Sequence, residues 1–284
     1  MSKANSLKKF ATLVCLSVAT IAHTGENAAA ADSDLQTILE NGLVRIGVQG
    51  ANKPFSYRDA DGSLMGVEVD LAKSIADTMG VKLELVVVTS ANRMEFLEQG
   101  KIDVLVGSMY DTAERRKAVG IIEPGYWSTG PTLMAKKGVI KSWEDIKGKP
   151  VCGKQGTLYN KSAETQYGAK IIAFTGNSEA KEALRSQKCV AFIYENASIQ
   201  ADLLSGEWND YEMPVSIMFD NPWGIAVPLD QKDKLWGTFL SGVAYRWQAN
   251  GFLLELEEKW KLNPTKWLHD QHAKHKWDDS YLSR

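Results

Sequence analysis

Residues able to do chemistry are few in this chain and widely spaced. Histidine occurs four times in 284 residues, as His23, His269, His272 and His275. Three-residue spacing puts the last three along one helical face, which is one way to hold a metal ion. No cysteine lies near them, and the surrounding lysines and aspartates read as a solvated polar tail. Asp59-Ala-Asp-Gly62 begins like a calcium loop but lacks the later ligands, and reads as a turn between two strands. There is no G-x-S-x-G elbow, no phosphate-binding loop and no H-E-x-x-H pair. Nucleophilic and metal chemistry find no support, no cofactor is expected, and the remaining candidates are residues placed to bind. Arg115, in a run with Arg116 and Lys117, offers a planar fork that matches both oxygens of a carboxylate; its plainer reading is a surface arginine. Glu195 follows the apolar run Val190–Tyr194. A carboxylate at a strand's carboxyl end can face a crevice, or can simply favour a helix start through the dipole.

The elements that would position these groups alternate between strand and helix. Leu43–Val48 and Leu83–Val88 read as strands, and Val104–Val106 as a third. Between them Val67–Met79 is spaced as a helix stopped by Gly80, and Met94–Leu97 as a short helix ended by Gly100. The pattern restarts with Trp143–Ile146, a strand over Lys149–Gly153, a helix over Leu158–Tyr167 and a strand over Lys170–Phe174. A helix over Glu179–Ser186, the strand Val190–Tyr194, a strand over Trp223–Val227 and an amphipathic helix over Lys232–Ala249 complete it. Such alternation predicts βαβ units on parallel sheets, here in two α/β units with a break near Lys136–Gly138. The segment beyond Asn263-Pro264 carries no functional reading.

The composition is that of a globular protein, 44% hydrophobic and 24% charged with a formal charge of −2, which gives no basic face for nucleic acid. Lys3, Lys8 and Lys9 precede an apolar run over Phe10–Ala22, and Ala28–Ala31 supplies a small-residue exit. Those are the parts of a cleaved secretory signal over residues 1–31; the run is shorter than the roughly 20 residues a spanning helix needs. Valine before Cys15, with most of the run after it, speaks against lipid attachment there. Cleavage would remove three lysines and Glu26, taking the charge from −2 to −4. It would leave about 253 residues. Cys15 would also leave, and the two remaining cysteines would enter an oxidising compartment.

Several segments, in order, resemble the family 3 solute-binding proteins of bacterial polar amino-acid ABC transporters. They are Pro54–Tyr57, Gly66–Ala72, Ser90–Met94, Gly100–Val104, Thr112–Arg115, Gly148–Thr157 and Trp223–Pro228, and the likeness runs from Leu35 to about Leu262. The resemblance implies a two-lobed periplasmic-binding-protein type II fold, each lobe a mixed β-sheet flanked by helices, joined by two hinge strands. Lobe 1 would comprise 32–133 and 226–284, and lobe 2 134–225. It implies a monomeric, non-enzymatic periplasmic protein that holds an amino acid or related carboxylate between its lobes and delivers it to a membrane ABC permease.

On that likeness Arg115 grips the ligand carboxylate, with Ser108 and Tyr110 on the loop before it. This chain departs from the family there, which usually has threonine near Tyr110. Thr157 opens a helix whose N–H groups favour an anion, or is a plain N-cap. Glu195 stands where the family commonly has an aspartate for the ligand ammonium. Gln49 stands near an arginine of acidic-amino-acid binders, which argues against glutamate or aspartate. Asn52 and Val67 occupy positions that are aromatic in some glutamine binders. Phe55, Tyr57 and Trp127 are further candidates to line the cleft, Phe55 equally one for the core. Some family members carry cysteines where Cys152 and Cys189 stand, at the first strand of the second lobe and just before the strand Val190–Tyr194. Adjacent strands bring Cα atoms within disulfide range, so a Cys152–Cys189 bridge is expected. The rival reading is a secreted enzyme on the same scaffold, such as a prephenate or arogenate dehydratase, with Glu195 as general acid.

Overall fold

The computed structural model describes residues 35–276. The segment read as a signal, with Cys15 and His23, lies outside them. Two five-stranded sheets organise the chain. In the first, strands run in the order Lys82–Val88, Leu43–Gln49, Val104–Leu105, Ala226–Pro228 and Val119–Ile121. In the second the order is Lys170–Phe174, Pro150–Lys154, Ala191–Glu195, Pro131–Lys136 and Tyr211–Glu212. The first three strands of each sheet are parallel, and the fourth is antiparallel to its neighbour. That arrangement puts the carboxyl ends of parallel strands from both sheets towards a common crevice, where ligands of open α/β sheets bind.

Local sequence chemistry explains most boundaries. The helix Val67–Met79 buries Val67, Leu71, Ala72 and Ile75 on one face. It stops at Gly80, whose φ of 69° is the left-handed conformation glycine adopts without a Cβ penalty. Asp59–Gly62 is the turn joining Ser56–Arg58 to Leu64–Met65 in a small three-stranded sheet. The helix expected from Lys232 begins only at Leu235, because Leu229–Gln231 forms a 3-10 turn first.

The chain crosses between the sheets twice. Trp127–Thr129 and Asn221–Trp223 pair antiparallel as a two-stranded ribbon. The apolar run Trp223–Val227 is therefore two half-strands rather than one: Trp223 pairs with Trp127, while Ala226 pairs with Ile121 in the first sheet. Pro131, Thr132 and Leu133 pair with Glu195, Tyr194 and Ile193 of the second sheet, so the crossing lies a few residues before position 133.

Cys152 and Cys189 form a disulfide with Cα atoms 5.7 Å apart. It ties the strand Pro150–Lys154 to the bend that leads into its parallel neighbour Ala191–Glu195, and both cysteines are buried. The C-terminal segment is not a solvated tail. Lys266–His275 is a helix that buries Leu268 and packs on Leu235–Ala249. His272 Nδ1 lies 2.7 Å from the Gln248 carbonyl, His275 meets Tyr245 edge-on and His269 approaches Glu257. The three histidines thus have separate partners, and no group of metal ligands occurs among the described residues.

Candidate functional site

The crevice between the sheets gathers a set of polar residues from both. Gln49 ends a parallel strand of the first sheet, and Ser90 and Arg93 follow the strand Lys82–Val88. Ser108 and Tyr110 follow Val104–Leu105, and Arg115 starts the 3-10 turn after them. From the second sheet come Thr157, Tyr159, Tyr194 and Glu195. These side chains meet closely, and the space they leave holds no more than about one water. An amino acid enters only by parting their contacts.

The Ser108 loop is built from buried polar groups. Ser108 is a non-glycine residue at φ 52°, a backbone conformation that persists only when its surroundings hold it. Glu68, fully buried in the first turn of the helix Val67–Met79, does so. Its carboxylate accepts from Ser108 Oγ at 2.6 Å, Ser56 Oγ at 2.7 Å and Tyr126 Oη at 2.8 Å. Tyr126 Oη in turn accepts the Ser108 N–H at 2.9 Å. Burial still pushes the Glu68 carboxyl above its ordinary range, against those hydrogen bonds. Two arginines grip the same loop through its carbonyls. Arg93 donates to Gly107 O and to Ser108 O at 3.0 Å, and Arg115 donates to Tyr110 O at 3.0 Å.

Glu195 and Arg115 line the same crevice, and each is hydrogen-bonded to Tyr110. Glu195 is 3% exposed and accepts a short hydrogen bond from Tyr110 Oη. Burial pushes its carboxyl up to about 8, against the Tyr110 bond and the positive field of Arg93, Arg115 and Lys154. Arg115 is half-buried, and burial together with neighbouring Arg93 lowers its guanidinium to about 10, so it stays charged. Thr157 caps Leu158–Tyr167 by backbone position only. Its hydroxyl turns back to Lys154 O at 2.8 Å, so no cap side chain occupies the helix start. The aromatic wall is Tyr110, Tyr159 and Tyr194, with Tyr159 edge-on to both others. The Tyr159 hydroxyl is buried without a hydrogen-bond partner.

Six of the residues singled out from the sequence line this crevice together: Gln49, Ser108, Tyr110, Arg115, Thr157 and Glu195. Two stand elsewhere. Asn52 bridges the lobes beside the crevice, donating to Ser108 Oγ at 2.8 Å and accepting from Tyr194 Oη at 2.9 Å and Ser198 Oγ at 3.3 Å. Trp127 is buried in the crossing ribbon with its ring 5.5 Å from that of Phe55, which is itself core. Tyr57 lies on the small sheet against Trp260. Sequence reasoning passed over Arg93, Glu68 and Lys154. Each sits inside a segment that carried the resemblance, but its partners are distant in sequence.

Comparison with known proteins agrees with this architecture. The family of bacterial extracellular solute-binding proteins, family 3, matches residues 44–263. A glutamate/aspartate import solute-binding protein of Salmonella typhimurium is 32% identical over 202 residues, 66% of this chain and 65% of that protein. The alignment thus spans just under two thirds of the Salmonella protein. The ABC transporter glutamine-binding protein GlnH of Bacillus subtilis is 30% identical over 242 residues, 81% of this chain and 88% of that one. Among solved structures, the ancestral amino acid-binding protein AncCDT-1, a precursor of cyclohexadienyl dehydratase, superposes with a TM-score of 0.71 at 29% identity. It covers 79% of this chain and 98% of its own. The parallel strand ends facing one crevice, the paired crossing strands and these matches agree: the chain belongs to the bacterial extracellular solute-binding proteins, family 3.

Proposed function

We propose that this protein is the periplasmic solute-binding component of an amino-acid ABC importer, a monomer that closes its two lobes around one amino acid and presents it to a membrane permease. The observation that carries this reading is the placement of Arg115 and Glu195. A carboxylate-gripping fork and a carboxylate lie in one closed crevice, and among the described residues neither has an ion-pair partner within 4.0 Å. The ligand's α-carboxylate takes Arg115 together with the start of Leu158–Tyr167, where dipole and N–H groups favour an anion. Its α-ammonium takes Glu195, which then gives up the proton that burial otherwise keeps on it. Hinge motion at the crossing ribbon opens and closes the lobes, and the two lobes divide at that ribbon.

The test is a thermal-shift and calorimetric screen against amino acids, since a ligand that binds only the native state raises its melting temperature. At least one amino acid should bind, and Arg115→Ala should abolish the shift; a shift retained in that variant would discredit the carboxylate assignment.

A second reading, a dehydratase, draws support from Glu195 alone. A desolvated carboxyl that holds its proton near neutral pH suits a general acid. A prephenate consumption assay separates the two, and steady turnover would replace the transport reading.

A further inference from the structure

The crevice holds one cation more than the common part of an amino acid can answer. Arg93, Arg115 and Lys154 are its cations, and Glu68 and Glu195 its carboxyls. Among the described residues none of the five makes an ion pair within 4.0 Å. In the amino-acid reading Arg115 and Glu195 are met by the ligand's α-carboxylate and α-ammonium. Arg93 and Glu68 both belong to the floor of the first lobe and both hold the Ser108 loop; burial works against the charge on Arg93, and the field of Glu68 is among those that oppose that burial. Lys154 is left over.

Its position is specific. Lys154 ends the strand Pro150–Lys154 in the second lobe and is 3% exposed. Its ammonium reaches across the crevice to Gln49 Oε1, a partner 105 residues away. The same oxygen accepts from Ser90 Oγ at 3.2 Å, and Gln49 Nε2 is fixed on Gly107 O at 3.2 Å. Beyond that amide oxygen the ammonium has the Tyr194 ring 5.9 Å away and the fields of Glu68 and Glu195, with no carboxylate of the described residues in contact. Burial outweighs these, and an anion brought by the ligand compensates it. Gln49 lines the same crevice as Arg115 and Glu195, so an amino-acid side chain extending from them has Lys154 and Gln49 within its reach.

The geometry points to Lys154, positioned by Gln49 and Ser90, as the residue that reads the ligand's side chain, and to an amino acid carrying a second acidic group as the ligand. This rests on the amino-acid reading above and narrows it. From the sequence, glutamine at position 49 argued against acidic ligands; in the fold the positive charge comes from the opposite lobe instead.

The experiment is calorimetry on the purified protein with L-aspartate, L-glutamate, L-asparagine, L-glutamine and L-arginine, repeated on Lys154→Met and Lys154→Gln. An acidic amino acid should bind more tightly than its amide. Both variants should weaken the acid by roughly 10- to 150-fold, the range of one lost charged hydrogen bond, and leave the amide within a few-fold. Circular dichroism checks that each variant is folded, and Lys154→Gln keeps a polar group if the apolar one misfolds. If an amide or arginine binds best, or if neither variant changes the acid's affinity, the assignment of Lys154 is overturned while the transport reading stands. If none of the five binds, the Lys154 assignment falls, and the full amino-acid screen described above decides whether the amino-acid reading falls as well.

Discussion

Replacing Gly156 by alanine separates closure of the lobes from folding. Gly156 sits at φ 74° on the second lobe, and a Cβ there would lie 2.6 Å from the Ala91 nitrogen and from the Ser90 backbone. Ordinary contact begins near 3.4 Å, so the lobes of the variant must stand apart by about 0.8 Å at this rim. Besides the Lys154–Gln49 and Tyr110–Glu195 bonds, three hydrogen bonds span the lobes: Tyr194 to Asn52 at 2.9 Å, Ser198 to Asn52 at 3.3 Å and Asn177 to the Ala51 carbonyl at 3.2 Å. An added gap of about 0.8 Å stretches even the shortest of these three to about 3.7 Å, beyond hydrogen-bonding range. At about 1 kcal/mol net for each bond, closure loses about 3 kcal/mol, which is a fall in affinity on the order of 100-fold. The left-handed backbone costs the folded protein a further 1–2 kcal/mol or so whether the lobes are open or closed. That lowers the melting temperature of the ligand-free variant by roughly 2–8 °C. Calorimetry with the tightest-binding amino acid measures the first effect, and small-angle scattering with saturating ligand should show a larger radius of gyration than wild type. An affinity within threefold of wild type would refute the argument that the bare Cα of Gly156 sets how far the lobes close.

Two further outcomes follow from groups away from that rim. Cleaving the Cys152–Cys189 bridge, which has a sequence separation of 37, should cost about 4 kcal/mol by loop entropy. Denaturant melts of the Cys152→Ala/Cys189→Ala protein check this, and an unchanged midpoint would remove the bridge from the list of stabilising features. Glu195 has a folded pKa raised to about 8, so between its unfolded value and 8 the native state holds a proton the unfolded chain has lost. Stability should therefore fall as pH rises from about 5 to 7, by at most about 1.4 kcal/mol per unit from this group. Lys154, lowered to about 7, titrates above that window. Urea melts of Glu195→Gln should lose this slope; a slope equal to wild type would mean Glu195 is ionised in the folded protein.

How much of this was legible in the sequence varies with the range of the interactions involved. The helix Leu158–Tyr167 and the strand Lys170–Phe174 form over the residues their patterns indicate, because local periodicity and a glycine stop decide them. The run Trp223–Val227 reads as one strand because an apolar stretch carries no record of which sheet pairs with it. Gly224 lies at the change of partner, where a Cβ would meet Ile121 at 2.4 Å. The same limit shaped the site. Arg115 and Glu195 were visible because their types and flanking segments mark them. Lys154 was not: a lysine ending a strand looks exposed until Gln49, contributed by the other sheet, arrives above it. Asn52 and Trp127, expected in the crevice, turn instead to the lobe bridge and the ribbon core, because their partners Tyr194, Ser198 and Phe55 lie far off in the sequence.

The crossing ribbon has a practical consequence. Because Trp127–Thr129 and Asn221–Trp223 are hydrogen-bonded side by side, the hinge motion proposed above would turn both connections about one pivot. A pair of fluorophores at Ser63 and Ser178, exposed residues on opposite lobes, would then report occupancy as a single distance. The scaffold is in effect a ready-made optical gauge, and rewriting its crevice for another solute would leave the readout intact.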